Sequence, residues 1–108
     1  MSHSGELWDR ARTLMPAGVS SPVRMFAPHP VFFEGGEGAW LRDVDGKRYL
    51  DLNLAFGPMI LGHAPPAVVQ AVQAQAAMGS LLGAPSPLEP ELAALIARHV
   101  PSLSLIHI

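Results

Sequence analysis

Cysteine is absent from this 108-residue chain, which removes disulfides, thiolate metal sites and a cysteine nucleophile together. The same absence suits a reducing compartment, and a cytoplasmic location is the expectation. Lysine is almost absent: Lys47 is the only one. The seven Lys and Arg residues are scattered, with only Lys47 and Arg48 adjacent, and the formal net charge is -2. No basic stripe exists to follow a phosphate backbone, so no nucleic-acid partner is expected. Long apolar runs are missing too. None approaches the roughly 20 residues that a membrane-spanning helix needs, and the opening residues Met1-Ser2-His3-Ser4-Gly5 lack the basic and apolar regions of a secretory leader. No internal repeat or low-complexity segment is visible.

What is present is a globular composition, 49% hydrophobic, punctuated by eleven prolines and ten glycines. The length allows one modest domain at most, and the punctuation predicts short elements. Leu7, Ala11, Leu14 and Met15 recur at helical spacing and predict an amphipathic helix over residues 6–15, stopped by Pro16 and Gly18. Residues 17–30, with Pro22, Pro28 and Pro30, read as extended loop. Val31 to Glu34 is a short β-prone run, and the glycines at 35, 36 and 38 predict a turn. Residues 39–43 and 47–52 flank Asp45-Gly46, a hairpin signal, because glycine accepts positive φ at little cost. The expected fold is therefore α+β: an N-terminal helix, a small three-stranded antiparallel sheet, then two helices. The first of those helices opens at Pro65-Pro66 and runs to about Met78. The second follows Ser86-Pro87-Leu88-Glu89, which resembles a capping box, and carries a stripe of Leu88, Leu92, Leu95 and Ile96. So small a sheet needs a partner to cover it.

Most familiar chemical motifs fail on spacing. The five histidines (His3, His29, His63, His99 and His107) show no H-x-x-x-H or H-E-x-x-H pattern, so no metal site is expected and they read as surface or packed imidazoles. Asp43-Val44-Asp45-Gly46 lacks the glycine and glutamate positions of a calcium loop and reads as a turn. Gly36-Glu37-Gly38 is followed by a strand and not by a helix, which excludes a dinucleotide fingerprint. Asp43, Asp45 and Asp51 read as solvated turn and strand-end residues. Ser20-Ser21 lacks a nucleophile elbow.

Three segments taken together carry a more specific reading. Pro16-Ala17-Gly18-Val19-Ser20-Ser21-Pro22-Val23-Arg24-Met25-Phe26 resembles the P-G-G-V-N-S-P-V-R-A-F stretch of glutamate-1-semialdehyde aminomutases. Residues 38–51, from Gly38 through Trp40, Asp45-Gly46 and Tyr49 to Asp51, resemble the strand-turn-strand shared by class III pyridoxal-phosphate-dependent aminotransferases. Gly57-Pro58-Met59-Ile60-Leu61-Gly62-His63-Ala64 is similar to the run that precedes the first large-domain helix of the aminomutases. The likeness is collinear from about residue 6 to residue 103.

This resemblance implies a fold type I enzyme with pyridoxal 5'-phosphate as cofactor and a small amino acid as substrate. The implied reaction converts glutamate 1-semialdehyde to 5-aminolevulinate for tetrapyrrole synthesis, in an enzyme that is a homodimer when complete. It places residues 1–55 in the N-terminal part of a small domain and residues 56–103 at the start of the large cofactor-binding domain, with residues 104–108 as a tail foreign to the pattern. It gives Arg24 the substrate carboxylate, Ser21 a place beside it, and Phe56 a place on the pocket wall where aminomutases often carry tryptophan. On its residues alone Arg24 reads as a partner for a surface carboxylate. Ala55 and its neighbours Leu52, Asn53 and Leu54 depart from the family's Y-V-G-S, which leaves another class III transaminase open. Residues 83–86 fall where the family approaches cofactor and dimer interface. The family's Schiff-base lysine and its N-S-G-T-E phosphate turn have no counterpart here, so the chain alone is expected to be catalytically incompetent. A non-catalytic oligomerising or binding fragment is the reading from outside the enzyme class.

Overall fold

Helix α1 spans His3–Leu14 and begins three residues before the helix that the apolar periodicity predicts. Its start is set by polar groups. The Ser2 hydroxyl accepts from the Gly5 amide at 3.2 Å, and the Asp45 carboxylate accepts from the His3 and Ser4 amides at 2.8 and 3.3 Å. These are the amide donors that a helix N-terminus cannot satisfy internally, and a carboxylate there also meets the positive end of the helix dipole. Because Asp45 lies far away in the sequence, only the folded chain shows the full cap. The computed structural model describes residues 2–102, so the expectation for residues 104–108 lies outside the described residues.

The proline-rich stretch after α1 is irregular, as its composition predicts, apart from two short 3-10 turns at Pro16–Gly18 and Pro22–Arg24. Three antiparallel strands follow in the order β1, Phe33–Glu37; β2, Trp40–Asp43; and β3, Arg48–Leu50. Leu41 pairs with Gly36 on one side and with Tyr49 on the other. The expected turn over residues 35–38 is corrected by the structure: Gly35 and Gly36 lie inside β1, and the chain reverses at Gly38 and Ala39. The cause is a close approach. A Cβ at Gly36 would stand 2.7 Å from Cγ of His63, so glycine is in the strand to admit a ring and not to bend it. Gly38 and His63 then exchange two backbone hydrogen bonds, of 2.9 and 2.7 Å.

The Asp45-Gly46 hairpin forms as a three-residue loop. The Asp43 amide donates to the Lys47 carbonyl at 3.0 Å, and Gly46 takes a φ of 82°, the usual geometry of a turn closed by a left-handed residue. Asp43 is buried and not solvated as its place beside a turn suggests. Its carboxylate accepts from the amides of Asp45 and Lys47, at 3.0 and 2.8 Å, and from the Tyr49 hydroxyl at 2.8 Å. Burial pushes this carboxyl upward, but the Tyr49 hydroxyl and the two amides together outweigh it, leaving Asp43 below its ordinary value.

Helix α2, Pro66–Met78, starts on the second proline, whose missing N–H falls where no acceptor exists. Gly79, at a φ of 98°, ends it. Helix α3, Leu88–His99, is entered through a near capping box: the Ser86 amide donates to Glu89 at 2.8 Å, and the Ser86 hydroxyl accepts from Leu88 at 3.3 Å. The chain divides into two compact units, Met1–Gln70 and Ala71–Ile108. Among the described residues Ala11 is the one hydrophobic side chain that is buried. Leu88, Leu92 and Leu95 of the predicted α3 stripe are all exposed. Among the described residues no helix is long and apolar enough to cross a membrane.

Candidate functional site

Within the first unit, the turn segment after α1, the sheet and residues 50–63 surround a cavity of about 780 Å³. Its lining is chiefly apolar, with Val23, Phe26 and Phe33 among the residues that form it. Arg24 is the one permanent cation in that lining. The 3-10 turn Pro22–Arg24 positions it: Ser21 precedes the turn in extended conformation, and its carbonyl accepts from the Arg24 amide at 3.0 Å. The guanidinium donates through Nη1 to the Ser20 hydroxyl at 2.9 Å. Its planar fork has further donors for an anion, so the arrangement suits a small ligand with a carboxylate and an apolar body.

Phe56 lines the same cavity as Arg24, whereas Ser21 is not part of the lining and Ser20 is. The structure therefore brings two of the three expected site residues together. It adds Ser20, whose place four residues before Arg24 was the only hint of its role. Lys47 is not part of the lining; it is exposed just after the hairpin loop, with its ammonium 4.8 Å from the centre of the Tyr49 ring. The loop at residues 83–86 belongs to the second unit, where Ser86 opens α3.

Three further lining residues, Asp51, His63 and Tyr49, carry no site signal in the sequence, and burial of Asp51 corrects its reading as a solvated strand-end residue. Asp51 is buried; one carboxylate oxygen accepts from the amides of Asn53 and Leu54, at 2.8 and 3.0 Å, and the other meets His63 Nε2 at 2.7 Å. The His63 hydrogen bond, followed by the Leu54 and Asn53 amides, holds the Asp51 carboxyl below its ordinary value. Tyr49, also in the lining, gives its hydroxyl proton to Asp43, and that bond raises its own pKa and keeps the phenol neutral. Asp51 and His63 stand twelve positions apart with irregular chain and one short 3-10 turn between them, so no helical or strand periodicity applies and spacing could not reveal the pair.

Past Asp51 the backbone takes an uncommon course. Leu54, Ala55 and Phe56 have φ values of 53°, 51° and 65°, and Gly57 has 125°. Left-handed backbone costs a residue with a side chain roughly 1–2 kcal/mol, so three in succession need support. The Asp51 carboxylate takes the Leu54 amide, and Asn53 Oδ1 takes the Phe56 amide at 3.0 Å. The turn sets Phe56 in the cavity wall while leaving it 73% exposed.

The sequence model of the family described as Aminotransferase class-III matches residues 23–105. The glutamate-1-semialdehyde 2,1-aminomutase of Methanothermobacter thermautotrophicus is 50% identical over 103 residues, a stretch covering 95% of this chain and 24% of that protein. Among solved structures, an omega-transaminase from Sphaerobacter thermophilus superposes with a TM-score of 0.92 at 36% identity, covering 95% of this chain and 24% of its own. A glutamate-1-semialdehyde aminomutase from Pseudomonas aeruginosa, in complex with PMP, superposes with a TM-score of 0.80 at 29% identity, covering 88% of this chain and 21% of its own. The chain thus spans about a quarter of the length of the curated relatives it matches.

Proposed function

The chain belongs to the class III aminotransferase family, and from that premise we propose that it forms the substrate-entrance part of a glutamate-1-semialdehyde 2,1-aminomutase. The observation that carries this reading is Arg24, a solitary cation in an apolar cavity, steadied by Ser20 and facing the same space as Phe56. Glutamate 1-semialdehyde offers one carboxylate at the end of a short chain. Arg24 would take that carboxylate, Phe56 would bound the apolar body, and Ser21 would stand behind as the residue that sets the turn.

Pyridoxal phosphate, the cofactor of such enzymes, supplies the electron sink and the nitrogen carrier when bound. The residues present here do not fit its covalent attachment. That bond needs a desolvated lysine, and Lys47 is an exposed hairpin residue outside the cavity lining. No chemical step is therefore assigned to this chain; its own part is binding, orientation and exclusion of water. Residues 1–55 would contribute to the small domain and residues 56–103 would begin the large one, in a cytoplasmic homodimer acting on small molecules, without nucleic-acid or membrane partners.

A second reading has its own support: the Sphaerobacter omega-transaminase is more similar in structure and identity than the Pseudomonas aminomutase. One experiment addresses both. This full chain replaces the matching segment of the Methanothermobacter aminomutase, and the hybrid is assayed with the semialdehyde and with ordinary amino-donor and keto-acid pairs. Conversion of the semialdehyde is expected, and Arg24→Ala should raise its KM about 10- to 100-fold, the range for losing a charged hydrogen bond. Turnover of the donor pairs alone selects the transaminase. An unchanged KM in Arg24→Ala removes the carboxylate assignment.

A further inference from the structure

The cavity wall contains a strained turn whose entry is held by one buried carboxylate, while Asn53 Oδ1 takes the Phe56 amide within it. Asp51 takes the Asn53 and Leu54 amides on one oxygen and His63 on the other. An aspartate carboxylate turns about both Cα–Cβ and Cβ–Cγ, and a partner on its second oxygen restrains that rotation. His63 fixes it, and His63 is itself fixed three ways. Its ring lies under Gly36, where a Cβ would come within 2.7 Å, and its backbone exchanges two hydrogen bonds with Gly38. The Asp51 amide in turn donates to the Ala39 carbonyl at 2.8 Å. Both members of the pair are thus anchored to the hairpin that joins β1 and β2.

We propose that Asp51 and His63 are positioning residues: together they tie the left-handed turn at residues 54–57 to the β1–β2 hairpin and so set Phe56 in the wall of the cavity that Arg24 also lines. The role in catalysis rests on reading the cavity as the substrate site; the mechanical role does not. Neither residue touches the reacting atoms on this account. His63 acts through Asp51, and Asp51 acts through the Asn53 and Leu54 amides. Imidazole suits the task because Nε2 reaches the carboxylate while the flat ring fits beneath a glycine strand.

The test uses the same hybrid, carrying His63→Ala, His63→Gln or Asp51→Asn, with two readouts. Amide exchange at Asn53, Leu54 and Phe56 should accelerate tenfold or more in His63→Ala, while the α1 amides stay within about threefold. The semialdehyde KM should rise about fivefold with kcat nearly unchanged. His63→Gln keeps a side-chain N–H for Asp51 and should restore most of both. Asp51→Asn preserves size and should give the same local acceleration, which keeps the idea testable if His63→Ala fails to fold. Exchange at residues 53, 54 and 56 within twofold of the unsubstituted hybrid would overturn the proposal. Equal loss in His63→Gln would also overturn it, since ring packing alone would then matter. A hybrid without activity refutes the functional reading, and the exchange data still decide this one.

Discussion

In the first unit side chains reach far along the sequence. Asp45 holds an amide 42 positions away, Ser4 holds one 28 positions away, and Asp51 meets His63 across twelve. In the second unit no described side-chain hydrogen bond spans more than four positions: Gln75 to the Gly79 carbonyl, Glu89 to the Ser86 amide and Ser86 to the Leu88 amide are all local. The two units therefore solve the same problem differently. The first has almost no buried apolar side chain and gets its order from buried carboxylates that collect amide donors. The second gets α3 from a local cap, with Leu88, Leu92 and Leu95 of its apolar stripe left exposed. Long-range polar ties make geometry specific because an unmet buried partner is costly. Local caps make an element but do not say where it goes.

The sharpest way to break this comparison is Gly62→Ala. Gly62 has a φ of 76°, and a Cβ there would stand 2.6 Å from the Gly38 carbonyl oxygen, a backbone atom that cannot step aside. The cost should be about 3 kcal/mol from crowding and left-handed strain together. Amide exchange at Gly38 and His63 should rise accordingly, while amides of α3 keep their rates. Retained protection at both sites would show that the first unit does not depend on this bridge.

Acid offers a smaller and more selective probe. Asp43 and Asp51 both titrate below the ordinary carboxylate value of 3.8 in the folded chain. As pH falls the unfolded chain takes up their protons first, so their contribution is complete above about pH 5 and fades as pH drops below about 4. Corrected for intrinsic rates, exchange at Asn53 and Leu54 should rise severalfold as pH falls from about 5 towards about 3. The Gly79 end of α2, tied by the uncharged Gln75 amide, should not follow. A parallel change in both would erase the distinction.

The smallest expected effect belongs to the second unit. Glu89→Ala removes the acceptor for the Ser86 amide and should cost about 0.5 kcal/mol, the low end for a cap. Circular dichroism of the full chain should show slight fraying of α3, with Trp8 and Trp40 fluorescence unchanged because both lie in the first unit. A large fluorescence change would mean that α3 has long-range ties of its own.

Much of the architecture was legible beforehand, for reasons that can be named. Prolines and glycines bracket α2, Ser86 and Glu89 announce α3, and Asp45-Gly46 marks the hairpin; each acts within a few residues, where sequence is nearly structure. The start of α1 was missed because half its cap arrives from Asp45. The glycines of β1 resemble a turn in the sequence because glycine permits both reversal and close approach, and only the His63 ring distinguishes them. At the site, likeness to a family singled out Arg24, Ser21 and Phe56, of which Arg24 and Phe56 share the cavity lining and Ser20 stands in the lining beside them.

By itself, then, the sequence determined the order of helices and strands, the want of a usable lysine, and the family to which its motifs are similar. Those depend on composition and on contacts between near neighbours. Only the tertiary structure decided that Asp43 and Asp51 are buried hubs, that His63 belongs beside Asp51, and that a left-handed turn carries Phe56 to the cavity. A carboxylate in a sequence has no partners until the chain has folded around it, and these two take theirs from wherever a free N–H or O–H comes within reach.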